Sequence, residues 1–257
     1  MEPYIGITDF TTYEQVVEML EVLRRHKSSG SKRMLHVGVM MSFKTLNSIE
    51  TVWSKIFPPK ETIADIFRQP NDDVYYCLHY ADYNYKTKYT DLARGLECAG
   101  PFIHAIQLDM PWPDPAMIAN GVHTSRRQIE VILQVGQNAI EEADNDPDEV
   151  VSRLEDYEGV IHRVLLDQSM GRGVSMNAAN LIPFAQAIKN RFPDLGLVVA
   201  GGLGPNSLHL VEPLVQQFPD ISIDAQSKLR PSGSTYDPID WDLMARAYLI
   251  KALRLLN

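Results

Sequence analysis

Cysteine is scarce, with only Cys77 and Cys98 in 257 residues. Two cysteines cannot staple a chain of this length, so a disulfide-framed secreted scaffold is excluded. Both sit in apolar surroundings, Val74–Leu78 and Leu96–Ala99, and are expected to be buried, reduced thiols. No Cys or His pair has zinc-finger spacing, and no metal is expected. Long apolar runs are missing as well. The C-terminal run Leu249–Leu256 is broken by Lys251 and Arg254, far short of the roughly 18 residues of a membrane span. The third deficit is positive charge: 24 Lys plus Arg stand against 33 Asp plus Glu, a net charge of −9. Nucleic acids and anionic bilayers recruit clustered Lys and Arg, so neither is an expected partner. The start Met1-Glu2-Pro3 lacks the basic-then-apolar layout of a signal peptide, and a cytoplasmic location is expected. No Pro/Gly/Ser-rich linker divides the chain, so residues 1–257 are read as one domain.

What is present is an alternation of short apolar runs with stretches of helical spacing. The runs are Tyr4–Thr8, Met34–Met41, Val74–Tyr80, Ile103–Leu108, Glu130–Val135, Val160–Leu166, Gly196–Ala200 and Ile221–Ile223. Their near-continuous hydrophobicity suits strands covered on both faces, as in a parallel sheet flanked by helices. Between them, Thr11 and Glu14 fit a capping box ahead of the stripe Val16, Met19, Leu20 and Leu23. Asp146-Pro147 and Asn177 mark two further helix starts, the latter with Leu181, Phe184, Ala185 and Ile188 facing inward. Pro205-Asn206-Ser207 opens another helix, and Asp240 or Trp241 the last. Eight strand–helix pairs in about 250 residues predict an α/β fold, a single (β/α)₈ barrel; an open doubly wound sheet is the alternative.

In such a barrel the chemistry lies at the C-terminal ends of the strands. There stand Asp9, Ser42, His79, Asp82, Asp109, Gln134, Gln137, Asp167, Gln168, Gly201, Gly202 and Asp224 to Ser227. A polar residue in such a place also commonly caps the next helix or turn. The strongest local signal is Ala200-Gly201-Gly202-Leu203-Gly204-Pro205-Asn206, after the seventh run. Adjacent glycines let backbone N–H groups approach an anion, and this fold often holds phosphate in the loops after strands 7 and 8. Gly201 and Gly202, with Gln226 and Ser227 after the eighth run, are therefore the candidate phosphate site. Asp167 ends an apolar run before Gly171-Arg172-Gly173, where desolvation can raise its pKa to suit a general acid.

These motifs, in this order, resemble phosphoribosylanthranilate isomerase. The family's KICGIT, QLHG, LLD, AGGL-x-P-x-N and DVSSGVE patterns match Tyr4 to Thr8, Gln107-Leu108, Leu165 to Asp167, Ala200 to Asn206, and Asp224 with Ser227. The resemblance runs from first strand to last. It implies a (β/α)₈ barrel and a cofactor-free Amadori rearrangement of a phosphorylated ribosyl-aminobenzoate, in the tryptophan pathway. By position, Asp167 matches the general acid and Gly201, Gly202 and Ser227 the phosphate-binding residues.

This chain also departs from the pattern. Ile5 replaces the cysteine base and is expected to face the barrel interior. Asp109 replaces the QLHG histidine, Val174 a loop lysine, and Lys228 and Arg230 stand where the family has Gly and Glu. Asp9 is the first candidate for a replacement base and Asp109 the second; Lys44, His79 and Arg172 are candidates for the non-phosphate end. Three readings stay open: an isomerase of a phosphorylated sugar, a lyase or epimerase on another phosphorylated metabolite, and a phosphometabolite-binding protein without turnover. Neither the substrate nor the oligomeric state is set by the sequence, and a homodimer is left open.

Overall fold

The computed structural model describes residues 1–69, 71–167 and 175–256. Eight strands run β1 (Tyr4–Thr8), β2 (Met34–Ser42), β3 (Val74–Ala81), β4 (Ala105–Asp109), β5 (Glu130–Gly136), β6 (Arg163–Asp167), β7 (Gly196–Ala200) and β8 (Ser222–Ala225). Each pairs in parallel with the next, and β8 pairs with β1, closing the barrel. Around it lie α1 (Tyr13–His26), α2 (Phe43–Leu46), α3 (Ile63–Ile66), α4 (Tyr89–Cys98) and α5 (Pro115–Ser125). They are followed by α6 (Gln137–Glu142), α7 (Pro147–Glu155), α8 (Ala178–Arg191), α9 (Glu212–Gln217) and α10 (Arg246–Leu256). The expected (β/α)₈ barrel is what forms. Among the described residues, no helix is long and apolar enough to cross a membrane.

Strand side chains alternate between two environments. Ile5 and Ile7, Leu35 to Met41 at every second residue, and Val164 and Leu166 join the large core shared with the helices. To it α1 adds Val16, Met19 and Leu23, and α8 adds Leu181, Phe184, Ala185 and Ile188, as their spacing predicts. Each fully buried Leu or Ile contributes about 1.5–3 kcal/mol. The intervening positions, Tyr4, Tyr75, Cys77, Ala105, Ile132, Leu165 and Val198, form a separate cluster inside the barrel. Ile5 therefore faces the helices, not the interior as the sequence reading expected. A continuous apolar run does not reveal which parity points inward.

Local details differ from expectation in instructive ways. The capping box of α1 uses Thr12 and Gln15, one residue later than Thr11 and Glu14, and Gln15 Oε1 accepts from both Thr11 N (2.8 Å) and Thr12 N (3.1 Å). Asp146 and Asn177 cap α7 and α8 as expected. After Pro205 the chain forms a 3₁₀ turn, Leu208–Val211, before α9 begins at Glu212. Asp240 caps a π-type turn, Trp241–Ala245, that leads into α10. Cys77 is buried, but Cys98, at the end of α4, is only half-buried.

The floor of the barrel is closed by Arg163, whose side chain is 2% exposed. Its Nε donates to Glu130 Oε2 at 3.0 Å and its Nη2 to the Glu2 carbonyl at 3.0 Å. The guanidinium lies 5.3 Å from the Tyr4 ring centre and 5.0 Å from that of Tyr75. Gly196 makes room for it, since a Cβ there would stand 2.7 Å from Arg163 Cγ. A buried cation needs its counter-charge more than the protein needs the pair. Glu130→Leu should thus lower the unfolding free energy by about 3 kcal/mol in urea titrations at pH 7, and Arg163→Met, which removes the charge and keeps bulk, by less.

Candidate active site

The C-terminal mouth of the barrel holds a cavity of about 410 Å³, within the range of small-molecule sites. All eight strands contribute to its wall, through Thr8, Ser42, His79, Asp109, Gln134, Asp167, Ala200 and Asp224 among others. Of the candidate residues, Lys44, His79, Asp109, Asp167, Gly201, Gly202, Gln226 and Ser227 all line this one cavity. Arg172 lies outside the described residues. Asp9 is not part of the wall.

Among the described residues, four carboxylates, Asp82, Asp109, Asp167 and Asp224, line the cavity against one lysine, Lys44. Burial pushes the Asp109 carboxyl up to about 6; the Tyr83 hydroxyl, which donates to its Oδ2, works against this and the neighbouring charge of Asp167 adds to it. Asp167 itself is 7% exposed at the end of β6. Asp224, to which the sequence reading gave no role, is pushed up to about 7, first by burial and then by the charges of Asp167 and Asp9, against the hydrogen bonds from Thr8 and the Ala225 amide. Thr8 Oγ1 donates to its Oδ2 at 2.9 Å, and its Oδ1 has no hydrogen-bond partner. The signal for Asp224 was its strand-end position in the last motif. Asp82, by contrast, is spent locally, accepting from the amides of Asn84, Lys86 and Thr87 at 3.0, 2.7 and 2.8 Å.

The β7–β8 side of the mouth is shaped by backbone. Gly201 and Gly202 have φ of 122° and 61°, in the region that favours glycine. Ser207 Oγ donates to the Gly202 carbonyl at 2.7 Å, and Gly204 sits so close to the β8 loop that a Cβ would meet Lys228 O at 2.8 Å. Ser227 is buried in the same wall. Gln226 turns its Nε2 to Asp9 Oδ2 at 2.8 Å. The rim near β2 and β8 is aromatic. Trp53 stacks on Phe57 and on Tyr236 with ring centres 5.2 and 5.3 Å apart, and all three line the cavity with Tyr83. Lys44, in α2 just beyond the Ser42 cap, is exposed at the rim. His79 is buried at the floor of the cavity, and burial lowers it to about 3, so it is neutral at ordinary pH.

Asp9 performs a different task. Its φ of 89° is costly for a non-glycine residue, and its carboxylate pairs with Arg230, whose side chain is 1% exposed. Arg230 also donates to the carbonyls of Gln226 (2.8 Å) and Asp237 (2.6 Å). This clasp ties the end of β1 to the β8 loop. Asp9→Ala leaves that guanidinium buried without a counter-charge, so the expected outcome is a loss of about 3 kcal/mol in chemical denaturation.

No protein-family model matches the sequence, and no curated protein does. Solved structures do match in fold. Phosphoribosyl anthranilate isomerase from Thermus thermophilus superposes with a TM-score of 0.63 at 15% identity, over 98% of each chain. The same enzyme from Thermotoga maritima gives 0.59 at 17%, again over 98% of each. Orotidine 5'-monophosphate decarboxylase from Methanocaldococcus jannaschii, solved with the inhibitor BMP, gives 0.58 at 8%, over the full length of both. The chain thus resembles phosphoribosylanthranilate isomerases in its whole (β/α)₈ barrel fold, and shares that fold with other barrel enzymes.

Proposed function

We propose that the protein is an acid–base enzyme acting on a small phosphorylated sugar derivative, by an Amadori-type isomerisation like that of the isomerases it resembles. The observation that carries this reading is the pair Asp109 and Asp167, which share one cavity where burial, and to a lesser degree Asp167, raises the Asp109 carboxyl. The Gly201-Gly202 backbone lines the same cavity and supports a phosphate end. The aromatic rim of Trp53, Phe57 and Tyr236 supports an aromatic or apolar substituent at the other end of the substrate.

The reaction would proceed in two proton transfers. An acid protonates the ring oxygen of an aminoaldose, the C1–O bond breaks, and the amine nitrogen forms a C=N bond with C1. A base then takes the proton from C2, giving an enolamine that relaxes to the aminoketose. Asp167, in the position matching the family's acid, is assigned the first step. Asp109 is assigned the second, since a base serves best with a pKa near the working pH. Asp9 is set aside because its carboxylate holds Arg230. The phosphate would be held by backbone amides of Gly201 and Gly202 with the Ser227 hydroxyl.

Loss of phosphoribosylanthranilate fluorescence tests the reaction. Asp167→Asn and Asp109→Asn should each lower kcat by about two orders of magnitude or more with small changes in KM. The rate should rise with pH through about 6 as Asp109 loses its proton. Gly202→Asp should abolish binding of ribose 5-phosphate in titration calorimetry. Turnover indifferent to both carboxylates contradicts the assignment, and ribose 5-phosphate binding without turnover of any aminoaldose favours the binding-protein reading.

A further inference from the structure

Below the cavity floor two glycines on adjacent strands, Gly6 of β1 and Gly38 of β2, face inward and leave space that polar groups fill. A Cβ on Gly6 would stand 2.6 Å from Asp224 Oδ1 and 3.0 Å from His36 Nδ1. One on Gly38 would stand 2.6 Å from Thr8 Oγ1 and 2.9 Å from His79 Nε2. Register places Gly6 between His36 and Asp224, and Gly38 opposite Cys77. The chain therefore gathers two imidazoles, a thiol and a carboxylate in the barrel interior, at sites that Cβ atoms on Gly6 and Gly38 would obstruct.

The geometry of this group is that of metal ligands. Donor atoms of His36, Cys77 and His79 all lie within 4.8 Å of one another, and all three residues are buried. The two Nε2 atoms are 3.3 Å apart. Nitrogen ligands about 2.0–2.1 Å from a tetrahedral zinc-type ion are separated by about 3.3 Å. Two further atoms lack partners: His36 Nδ1 and Asp224 Oδ1, both beside Gly6. A histidine that binds a metal through one nitrogen commonly donates its other N–H to a carboxylate, and Asp224 is the carboxylate that shares the space at Gly6 with His36. A simple hydrogen bond between the two imidazoles would leave the His36 Nδ1 and Asp224 Oδ1 atoms unexplained.

We propose that His36 Nε2, His79 Nε2 and Cys77 Sγ form a site for a divalent transition metal of the zinc class. Asp224, across Gly6 from His36, is the carboxylate that would orient the imidazole once metal binds, and the fourth coordination position opens toward the cavity that His79, Thr8 and Asp224 line. Binding converts the Cys77 thiol to a metal-bound thiolate and releases one proton to solvent. Mixed nitrogen and sulfur donors suit zinc or cobalt and disfavour magnesium or calcium. Nothing in this site depends on the proposed isomerisation, so the two stand or fall separately.

Cobalt(II) is the probe. Protein stripped with a chelator and titrated with Co²⁺ alone should bind one equivalent, with a thiolate-to-cobalt charge-transfer band in the near ultraviolet and the intense visible bands of four-coordinate cobalt. Zn²⁺ should displace the colour and raise the Tm of the wild-type protein. Cys77→Ser should lose the charge-transfer band, His79→Gln should bind at least tenfold more weakly, and Cys98→Ser should behave as wild type. Absence of a cobalt spectrum in folded wild-type protein, together with no Tm response to Zn²⁺, overturns the site whatever the variants do. A charge-transfer band that survives Cys77→Ser also overturns it.

Discussion

Everything in this molecule follows from the alternation of side chains on a closed parallel barrel. Only every second residue of a strand points inward, so the interior is decided by about two dozen positions. Tyr4, Tyr75 and Arg163 fill the floor, Cys77, Ile132 and Leu165 the middle, and Asp109, Asp167 and Asp224 the mouth. Polar groups brought into that space lose their water, and each must find a partner or change its protonation. Arg163 finds Glu130. Asp109 and Asp224, facing further negative charge, keep their protons to higher pH.

The same bookkeeping shapes what the mouth can bind. Its inward carboxylates repel anions, and the buried arginines among the described residues are already committed, Arg33 to backbone carbonyls, Arg163 to Glu130 and Arg230 to Asp9. An anionic substrate must then be held chiefly by oriented backbone dipoles, which is why the proposed phosphate end rests on Gly201 and Gly202. Lys44 at the rim is a flexible cation that supports attraction without fixing geometry. The aromatic stack of Trp53, Phe57 and Tyr236 joins loops that are far apart in sequence into one wall of the cavity.

The barrel was legible because each strand is a nearly continuous apolar run and each connection has helical spacing. Boundaries shifted where a turn intervened: Ile103 and His104 precede β4, and Val160 to His162 precede β6. The face of Ile5 was not legible, since a run apolar at both parities has no inside or outside until the helices are placed. Nor was the role of Asp9, because its partner Arg230 lies 221 residues away in sequence. The His36, Cys77 and His79 group escaped for a related reason. Its members lie on two neighbouring strands and meet only through barrel register. The convergence of β4, β6, β7 and β8 residues on one cavity was readable from strand-end position alone.

The most direct measurement is a crystal structure of the protein with ribose 5-phosphate bound at saturation. The account predicts phosphate density within hydrogen-bond reach of the Gly201 and Gly202 amides, with the sugar carbons lying between Asp109 and Asp167. Phosphate bound elsewhere, or a cavity that stays empty at saturating ligand, would contradict it.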